Sequence, residues 1–545
     1  MKGSDAIAEI LKREGTEFLA CYPAQALIEA CALAGIRPII CRQERVGMAI
    51  ADGFTRVTRG KRIGVFAMQG GPGTENAFPG AAQAFSDNVP ILLLPGGEAT
   101  TRSFIRPGFS AVENYQCVTK WAAQVNSVER IPEMMRRAYY QLRTGKGGPV
   151  LLEIPRDVMQ GEVKGEIEYS PVRGNRVAPA QDEVKTVAEA LLNARNLVIH
   201  AGQGVHYAEA WDELKELAEL LQAPVMTTMP GKSSFPENHP LALGASSVAT
   251  TKPVSHFLQK ADVVFGIGTS FTRTNYGKTI PPGKVMIHAT ADPGDIHKDY
   301  KADFSLVGDA KLTLQMLIAE VKAMTGGKGV RSDEGVVAEV QRVKKEWLDE
   351  WMPQLTSDEK PINQYRIIRD LMQTVDRNNV IITHDAGSPR DQTVPFWESV
   401  TPMSYLGWGK STQLGYGLGL TMGAKLAEPQ KLCINIMGDA AIGMVGMDIE
   451  TAVRARIGIL TIVFNNGIMA IERKSMPFAG EKYGTLALGG NYRDVARALG
   501  AWAERVEEPG QFVRTLKQAI DVTKTGQPAL IECLTKEGYD FSIYP

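Results

Sequence analysis

Residues 431–469 read KLCINIMGDAAIGMVGMDIETAVRARIGILTIVFNNGIM. The apolar run Leu432–Met437 ends in Gly438-Asp439-Ala440, a helix is predicted over about Met447–Arg456, and a second apolar run, Leu460–Phe464, ends in Asn465-Asn466. Short, continuous apolar runs joined through a helix read as parallel strands buried on both faces. This βαβ unit brings Asp439 and Asn466, 27 residues apart, to the carboxyl edge of neighbouring strands, where open α/β sheets bind ligands. A carboxylate and a side-chain amide are hard oxygen donors that suit Mg²⁺, which takes its remaining ligands from water and phosphates. Gly438, Ala440, Ala441 and Gly443 are small enough to let backbone N–H groups approach an anion at a helix start. Gly-Asp or Asn-Asn in isolation is a turn signature; the strand, helix and strand between them give the pair a joint meaning.

The same alternation extends in both directions. Strands are expected at Pro38–Cys41, Ile63–Ala67, Ile91–Leu94, Val150–Ile154, Leu197–His200, Val263–Ile267, Val285–Ala289 and Val380–Thr383, in addition to the two above. They fall into three groups, separated by stretches from Gly161 to about Asp182 and from Gly326 to about Pro361 that read as linkers. The fold class is therefore α/β, with three doubly wound parallel-sheet domains at 1–160, 183–325 and 358–545. The length of 545 residues fits three to four domains. The 54 glycines exceed average usage and point to many tight turns.

Sixty Lys+Arg against 61 Asp+Glu leave a charge of −1, which provides no global footprint for nucleic acid or an anionic membrane and makes small molecules the expected partners. Six cysteines without CxxC spacing indicate neither a zinc site nor a disulfide framework, and the expected setting is reduced and cytoplasmic. Residues 1–15 form an amphipathic helix pattern rather than a signal peptide, and no apolar run is long enough to span a membrane.

At the spacing of GDA and NN the sequence resembles the thiamine-diphosphate (ThDP) enzymes, and within them the acetolactate synthase-like branch. The resemblance implies that Asp439, Asn466 and the main-chain carbonyl of Ile468 are metal ligands. Asp385-Ala386-Gly387-Ser388 would contribute Gly387 and Ser388 to the diphosphate, beside Gly438 and Ala440. In Gln413-Leu414-Gly415-Tyr416-Gly417, Leu414 takes the place of the apolar wedge between the cofactor rings. Arg42-Gln43-Glu44 through Ala51-Asp52-Gly53-Phe54-Thr55-Arg56 resembles the family's RHE…ADGYAR segment, which makes Glu44 both catalytic and cofactor-binding: its carboxylate would hold a ring nitrogen of the aminopyrimidine, with burial raising its pKa. Met68-Gln69-Gly70-Gly71-Pro72-Gly73 and Gly148-Pro149-Val150 through Ile154-Pro155 match further segments of the same domain.

As the resemblance implies, the activity is a ThDP- and Mg²⁺-dependent decarboxylase or carboligase of 2-oxo acids, working through a C2 ylide and an enamine. Its homodimer or homotetramer would place each active site between subunits. Ala24 and Gln25, where the family has Pro-Gly-Gly, Gln116, and Arg473 after the NN motif are candidate substrate contacts. Gln43 replaces the usual histidine, and Arg473 lies near the place of a tryptophan. These departures keep an acyl-CoA substrate, as in a 2-hydroxyacyl-CoA lyase or oxalyl-CoA decarboxylase, as the alternative, and a non-catalytic ThDP-fold subunit as a third. Gly202-Gln203-Gly204 lacks the third glycine of a dinucleotide fingerprint; the central domain leaves FAD or another nucleotide open without predicting it.

Overall fold

The computed structural model describes residues 1–330 and 334–545. It holds three six-stranded sheets, each parallel throughout. The first sheet contains β1 (Phe18–Tyr22), β2 (Arg37–Ile40), β3 (Val65–Met68), β4 (Leu92–Gly97), β5 (Trp121–Gln124) and β6 (Val150–Pro155), ordered β2-β1-β3-β4-β6-β5. The second contains β7 (Leu197–Ala201), β8 (Val225–Thr228), β9 (Ala242–Ser246), β10 (Val263–Ile267), β11 (Val285–Thr290) and β12 (Phe304–Val307), ordered β12-β11-β10-β7-β8-β9. The third contains β13 (Val380–His384), β14 (Tyr405–Leu406), β15 (Leu432–Gly438), β16 (Leu460–Asn465), β17 (Trp502–Val506) and β18 (Ala529–Leu534), ordered β14-β13-β15-β16-β18-β17.

Every one of the ten expected strands is present. Central strands such as β6, β7, β10 and β13 are buried along their whole length, as parallel strands covered by helices on both faces must be. Counted within their own units, the first and third sheets have the same strand order. The second instead runs outward in both directions from β7 and β10, the order associated with dinucleotide binding.

The helices Glu44–Val57 and Tyr416–Ala427 join the first and third units by packing on one another more extensively than any other pair of elements. Glycine makes the approach achievable: a Cβ on Gly53 would lie 2.1 Å from the Leu420 carbonyl oxygen, and one on Gly423 would lie 2.1 Å from that of Ile50. A single apolar core therefore runs through both units, from Val46 and Phe66 to Leu418 and Val463.

Two sequence expectations require correction. The helix placed at about Met447–Arg456 begins earlier, as Asp439–Val445, followed by a single turn at Gly446–Asp448 and a short helix at Ile449–Arg454. An acidic first residue followed by two alanines favours a helix start at Asp439. The charged part of the second linker is the helix Glu334–Leu355. Its buried residues Val340, Val343, Trp347, Trp351 and Leu355 recur every three or four positions and form an apolar stripe beneath the charged face. Trp347 stacks on Phe396 of the third unit with ring centroids 4.9 Å apart.

The N-terminal helix, Gly3–Arg13, buries Ile7, Ile10 and Leu11 as its pattern predicts. All six cysteines are free, and only Cys117 is exposed. Among the described residues no helix is long and apolar enough to cross a membrane.

Candidate active site

In the third sheet the register pairs Gly438 with Phe464, so β15 and β16 end side by side. Asp439 opens a helix there and is buried. Its Oδ1 accepts the Ala440 N–H at 2.8 Å, while its Oδ2 accepts the N–H groups of Asn466 at 3.2 Å and Gly467 at 2.8 Å. The two halves of the sequence pattern thus meet directly. Asn466 Oδ1 accepts the Ile468 N–H at 3.1 Å, and Gly467 turns the chain in the left-handed region at φ +71°. Asp439, Asn466 and Ile468 thus offer a carboxylate, an amide oxygen and a main-chain carbonyl, hard oxygen donors of the kind Mg²⁺ takes when phosphates complete its shell. Burial raises the Asp439 pKa, against the lowering effect of the backbone N–H groups it accepts.

Gly387 follows β13 and Gly438 ends the adjacent strand β15, and each precedes a helix. Neither is crowded: a Cβ would make only ordinary van der Waals contact, with Ile471 at 3.9 Å from Gly387 and with Pro389 at 3.7 Å from Gly438. Gly387 also has φ +87°, a conformation glycine adopts at no steric cost. Ser388 begins the helix Ser388–Phe396, and Ala440 is the second residue of its own helix.

The sequence marks Asp385 only as part of a turn. Its fully buried carboxylate accepts the N–H groups of Ala386 at 2.8 Å, Gly415 at 2.8 Å and Gly417 at 3.0 Å, and burial lifts its pKa to about 6. It therefore pins the loop bearing Leu414 to the end of β13. Leu414 itself is half-buried at the edge of the shared core. An aspartate directly after a strand and before Ala-Gly was the available signal.

Glu44 opens the helix Glu44–Val57 after β2 and is 6% exposed. Burial raises its pKa, partly countered by hydrogen bonds from its own backbone and the Asn76 side chain. Tyr115 is buried nearby and donates its hydroxyl to the Thr74 carbonyl. The partners of Glu44 thus come from the first unit, whereas those of Asp439 come from the third. Gln43 Nε2 reaches the Met444 carbonyl at 3.3 Å, next to the exposed side chains of Met444 and Met447.

The four candidate substrate residues lie on three separate elements. Ala24 and Gln25 stand at the turn after β1, half-buried and exposed respectively, and Gln116 is exposed beside Tyr115. Arg473 is exposed and already engaged by the Glu537 carboxylate and the Tyr539 hydroxyl.

A cavity of about 700 Å³ lies at the edge of the second sheet, where the strand order reverses, and extends to both other units. His200, Arg273, Lys278 and Lys410 line it. His200 is buried with neither ring nitrogen partnered, and its pKa is pushed down to about 4. The glycines of Gly202-Gln203-Gly204 serve a different purpose: a Cβ on either would strike Gly268, at 2.3 Å from its oxygen or 2.7 Å from its Cα.

Comparison with known proteins covers all three units. The chain matches the thiamine pyrophosphate enzyme N-terminal TPP binding domain over residues 1–111, the central domain over 184–317 and the C-terminal TPP binding domain over 385–533. It is 30% identical over 544 residues to a probable acetolactate synthase large subunit of Methanocaldococcus jannaschii, covering 95% of this chain and 90% of the relative. A probable acetolactate synthase large subunit of Methanococcus aeolicus is also 30% identical, with 96% and 90% covered. The acetolactate synthase isozyme 3 large subunit of Escherichia coli K12 is 24% identical, with 100% and 96% covered.

Proposed function

The chain belongs to the thiamine pyrophosphate enzymes, and from that premise we propose that it is a ThDP- and Mg²⁺-dependent decarboxylase or carboligase of 2-oxo acids, like the acetolactate synthase large subunits it resembles. The observation that carries this reading is the meeting of Asp439 with the Asn466 turn at the edge of β15 and β16. When bound, thiamine diphosphate supplies a stabilised carbanion for addition to a carbonyl and loss of CO₂.

The roles of the chain's own residues follow from their chemistry. Asp439, Asn466 and the Ile468 carbonyl would hold Mg²⁺ against the diphosphate. Gly387, Ser388, Gly438 and Ala440 would offer backbone N–H groups and a hydroxyl to the diphosphate oxygens. Leu414, held in place through Asp385, would keep the cofactor bent. Glu44, whose pKa burial raises, would share a proton with the aminopyrimidine ring nitrogen and thereby promote its imino form.

Glu44 and Asp439 have separate sets of partners, which supports a homodimer in which the first unit of one copy faces the third unit of the other. The exposed Met444 and Met447 near Gln43 suit burial at such a contact. Of Arg473 and Lys474, the two cations that motivate the acyl-CoA alternative, Arg473 already has a carboxylate partner in Glu537.

The cavity of the second unit fits a nucleotide, the class left open by the sequence. Its cations Arg273, Lys278 and Lys410 would meet phosphate, and His200 would supply hydrogen-bonding nitrogens. Release of a flavin or adenine nucleotide on heat denaturation, read by absorbance and chromatography, tests this part.

The main proposal is tested by incubating the protein with ThDP, with and without Mg²⁺, and a panel of 2-oxo acids, while following CO₂ and ligation products. Mg²⁺-dependent CO₂ release is expected. Turnover without ThDP, or on hydroxyacyl-CoA substrates alone, would sink it.

A further inference from the structure

The helix that begins with Glu44 carries Asp52 and Arg56 toward its other end. With Gln83 and Asp87 they form a polar network sealed from solvent: Asp52, Gln83 and Asp87 are 0% exposed and Arg56 is 4% exposed. Arg56 Nη2 donates to Asp52 Oδ2 at 3.2 Å and Asp87 Oδ2 at 2.9 Å, and Gln83 Nε2 donates to the same Asp87 oxygen at 2.9 Å. All four residues belong to the first unit.

The network also reaches out of that unit, and each such bond lands on a single stretch of the third. Arg56 Nη1 donates to the Gly407 carbonyl at 3.1 Å. The Lys410 N–H donates to Asp87 Oδ1 at 3.4 Å and the Gln413 N–H to Gln83 Oε1 at 3.1 Å. The Tyr416 hydroxyl donates to Asp52 Oδ2 at 2.8 Å. Residues 407–416 thus share four hydrogen bonds with the first unit, and Leu414 lies among them.

Within its own unit this stretch is tied down at two points, through Asp385, which accepts the Gly415 N–H, and through Trp408, whose indole N–H donates to the His384 carbonyl at 2.9 Å. It belongs to no strand or helix between Leu406 and Tyr416, and Gly409, Thr412 and Gly415 have φ of +138°, +55° and +88°. Buried ion pairs bring little net stability compared with apolar packing of the same volume; one attested use is to select a single geometry. Here the geometry selected is that of the loop holding Leu414. The helix Glu44–Val57 has 14 residues and is a rod about 21 Å long, so it places Glu44 at its start and grips this loop toward its end.

We propose that Asp52, Arg56, Gln83 and Asp87 are positioning residues that fix residues 407–416, and through them set Leu414 against the cofactor. The proposal rests on the reading of Leu414 given above. It also implies that the first unit acts on the cofactor loop of its own chain, in addition to supplying Glu44.

Two variants of the full-length protein test it. Gln83→Met keeps the side-chain volume but removes the acceptor for the Gln413 N–H. Arg56→Lys keeps the charge but loses the planar fork that reaches two carboxylates and a carbonyl at once. Amide hydrogen exchange of the 407–416 segment is measured on the cofactor-free protein, alongside melting temperature, ThDP titration, and kcat and KM for a 2-oxo acid. Gln83→Met should speed exchange at Gln413, keep the melting temperature and KM close to wild type, and lower kcat by roughly 10- to 100-fold, the scale of an ångström-level misplacement. Arg56→Lys should do the same more strongly, with Lys410 also exchanging faster.

Unchanged loop exchange in Gln83→Met, or faster exchange with unchanged kcat, would overturn the proposal. Activity that falls only in step with melting temperature across both variants would overturn it as well. A wild-type protein that fails to bind ThDP would instead overturn the cofactor reading, while the exchange measurement would still decide whether the network holds the loop.

Discussion

In the first sheet the turn after β2 delivers a buried carboxylate, Glu44, whose neighbours are Asn76 and Tyr115. In the third, whose strands have the same relative order, the turns after β13, β15 and β16 deliver a cluster: Gly387, Asp439 and the Asn466 turn. The helices after β2 and β14 occupy equivalent places in the two units, and they pack on each other. The architecture alone therefore does not distinguish acid–base chemistry from anion binding. On the function proposed above, the distinction would rest on a few side chains at strand-to-helix turns: a desolvated carboxylate in one unit, and oxygen donors beside uncrowded glycine turns in the other.

The most direct way to break this contrast is to remove one carboxylate from each side. Glu44→Gln keeps the shape but not the acid, and turnover should fall by roughly 100- to 10,000-fold, the usual scale for a positioned acid or base. ThDP and Mg²⁺ binding, measured by calorimetry, should change little. Asp439→Ala should show the opposite order of effects, with affinity for ThDP in the presence of Mg²⁺ weakened by more than about 100-fold, beyond what loss of a metal's outer partners brings. If Glu44→Gln abolished binding and Asp439→Ala spared it, the division of labour would be wrong.

Mixing the two variants sharpens the contrast further. If each active site joins the first unit of one copy to the third unit of another, a hybrid dimer contains one site with both defects and one with neither. Reconstituted mixtures should then recover part of the wild-type turnover, although each parent is inactive. A mixture as inactive as its parents, with subunit exchange verified by mass, would place Glu44 and Asp439 in a site within one chain.

The two regions also differ in how much of them could be read in advance. Asp439 and Asn466 announce themselves because one βαβ unit fixes the distance between them. Apolar runs such as Val263–Ile267 are found at their observed bounds because a central parallel strand is apolar at nearly every position. Strands at sheet edges leave a weaker trace: β14 has only two residues, and in β17 the sequence WAERV is partly exposed. The helix Glu334–Leu355 was hidden by its charged face, although Trp347 and Trp351 lie one turn apart on its buried one. The network of Asp52, Arg56, Gln83 and Asp87 was beyond reach for a different reason. Its bonds to Gly407 and Gln413 cross more than 300 positions of sequence, 351 in one case and 330 in the other, and depend on how two sheets are docked.

That docking has a titratable reporter. Asp448 of the third unit accepts the N–H of Arg42 in the first at 2.7 Å and the Thr451 hydroxyl at 2.8 Å, while its Oδ2 is buried without a partner. Burial outweighs those bonds and the Arg42 charge and lifts its pKa from 3.8 to about 6. A carboxyl whose folded value lies above its unfolded one favours the protonated state of the folded protein. Its contribution to stability is complete below about pH 4 and is lost as pH rises through 6. Asp448→Asn keeps an oxygen for the Arg42 N–H and cannot ionise, so it should escape that loss. The variant's melting temperature should match wild type near pH 4 and exceed it by a few degrees at pH 7, corresponding to about 1–3 kcal/mol. Other carboxyls titrate in both proteins and cancel from the difference. Parallel melting curves across that range would mean that Asp448 reaches water at the junction, and that the contact between the two units is looser than the Arg42 hydrogen bond implies.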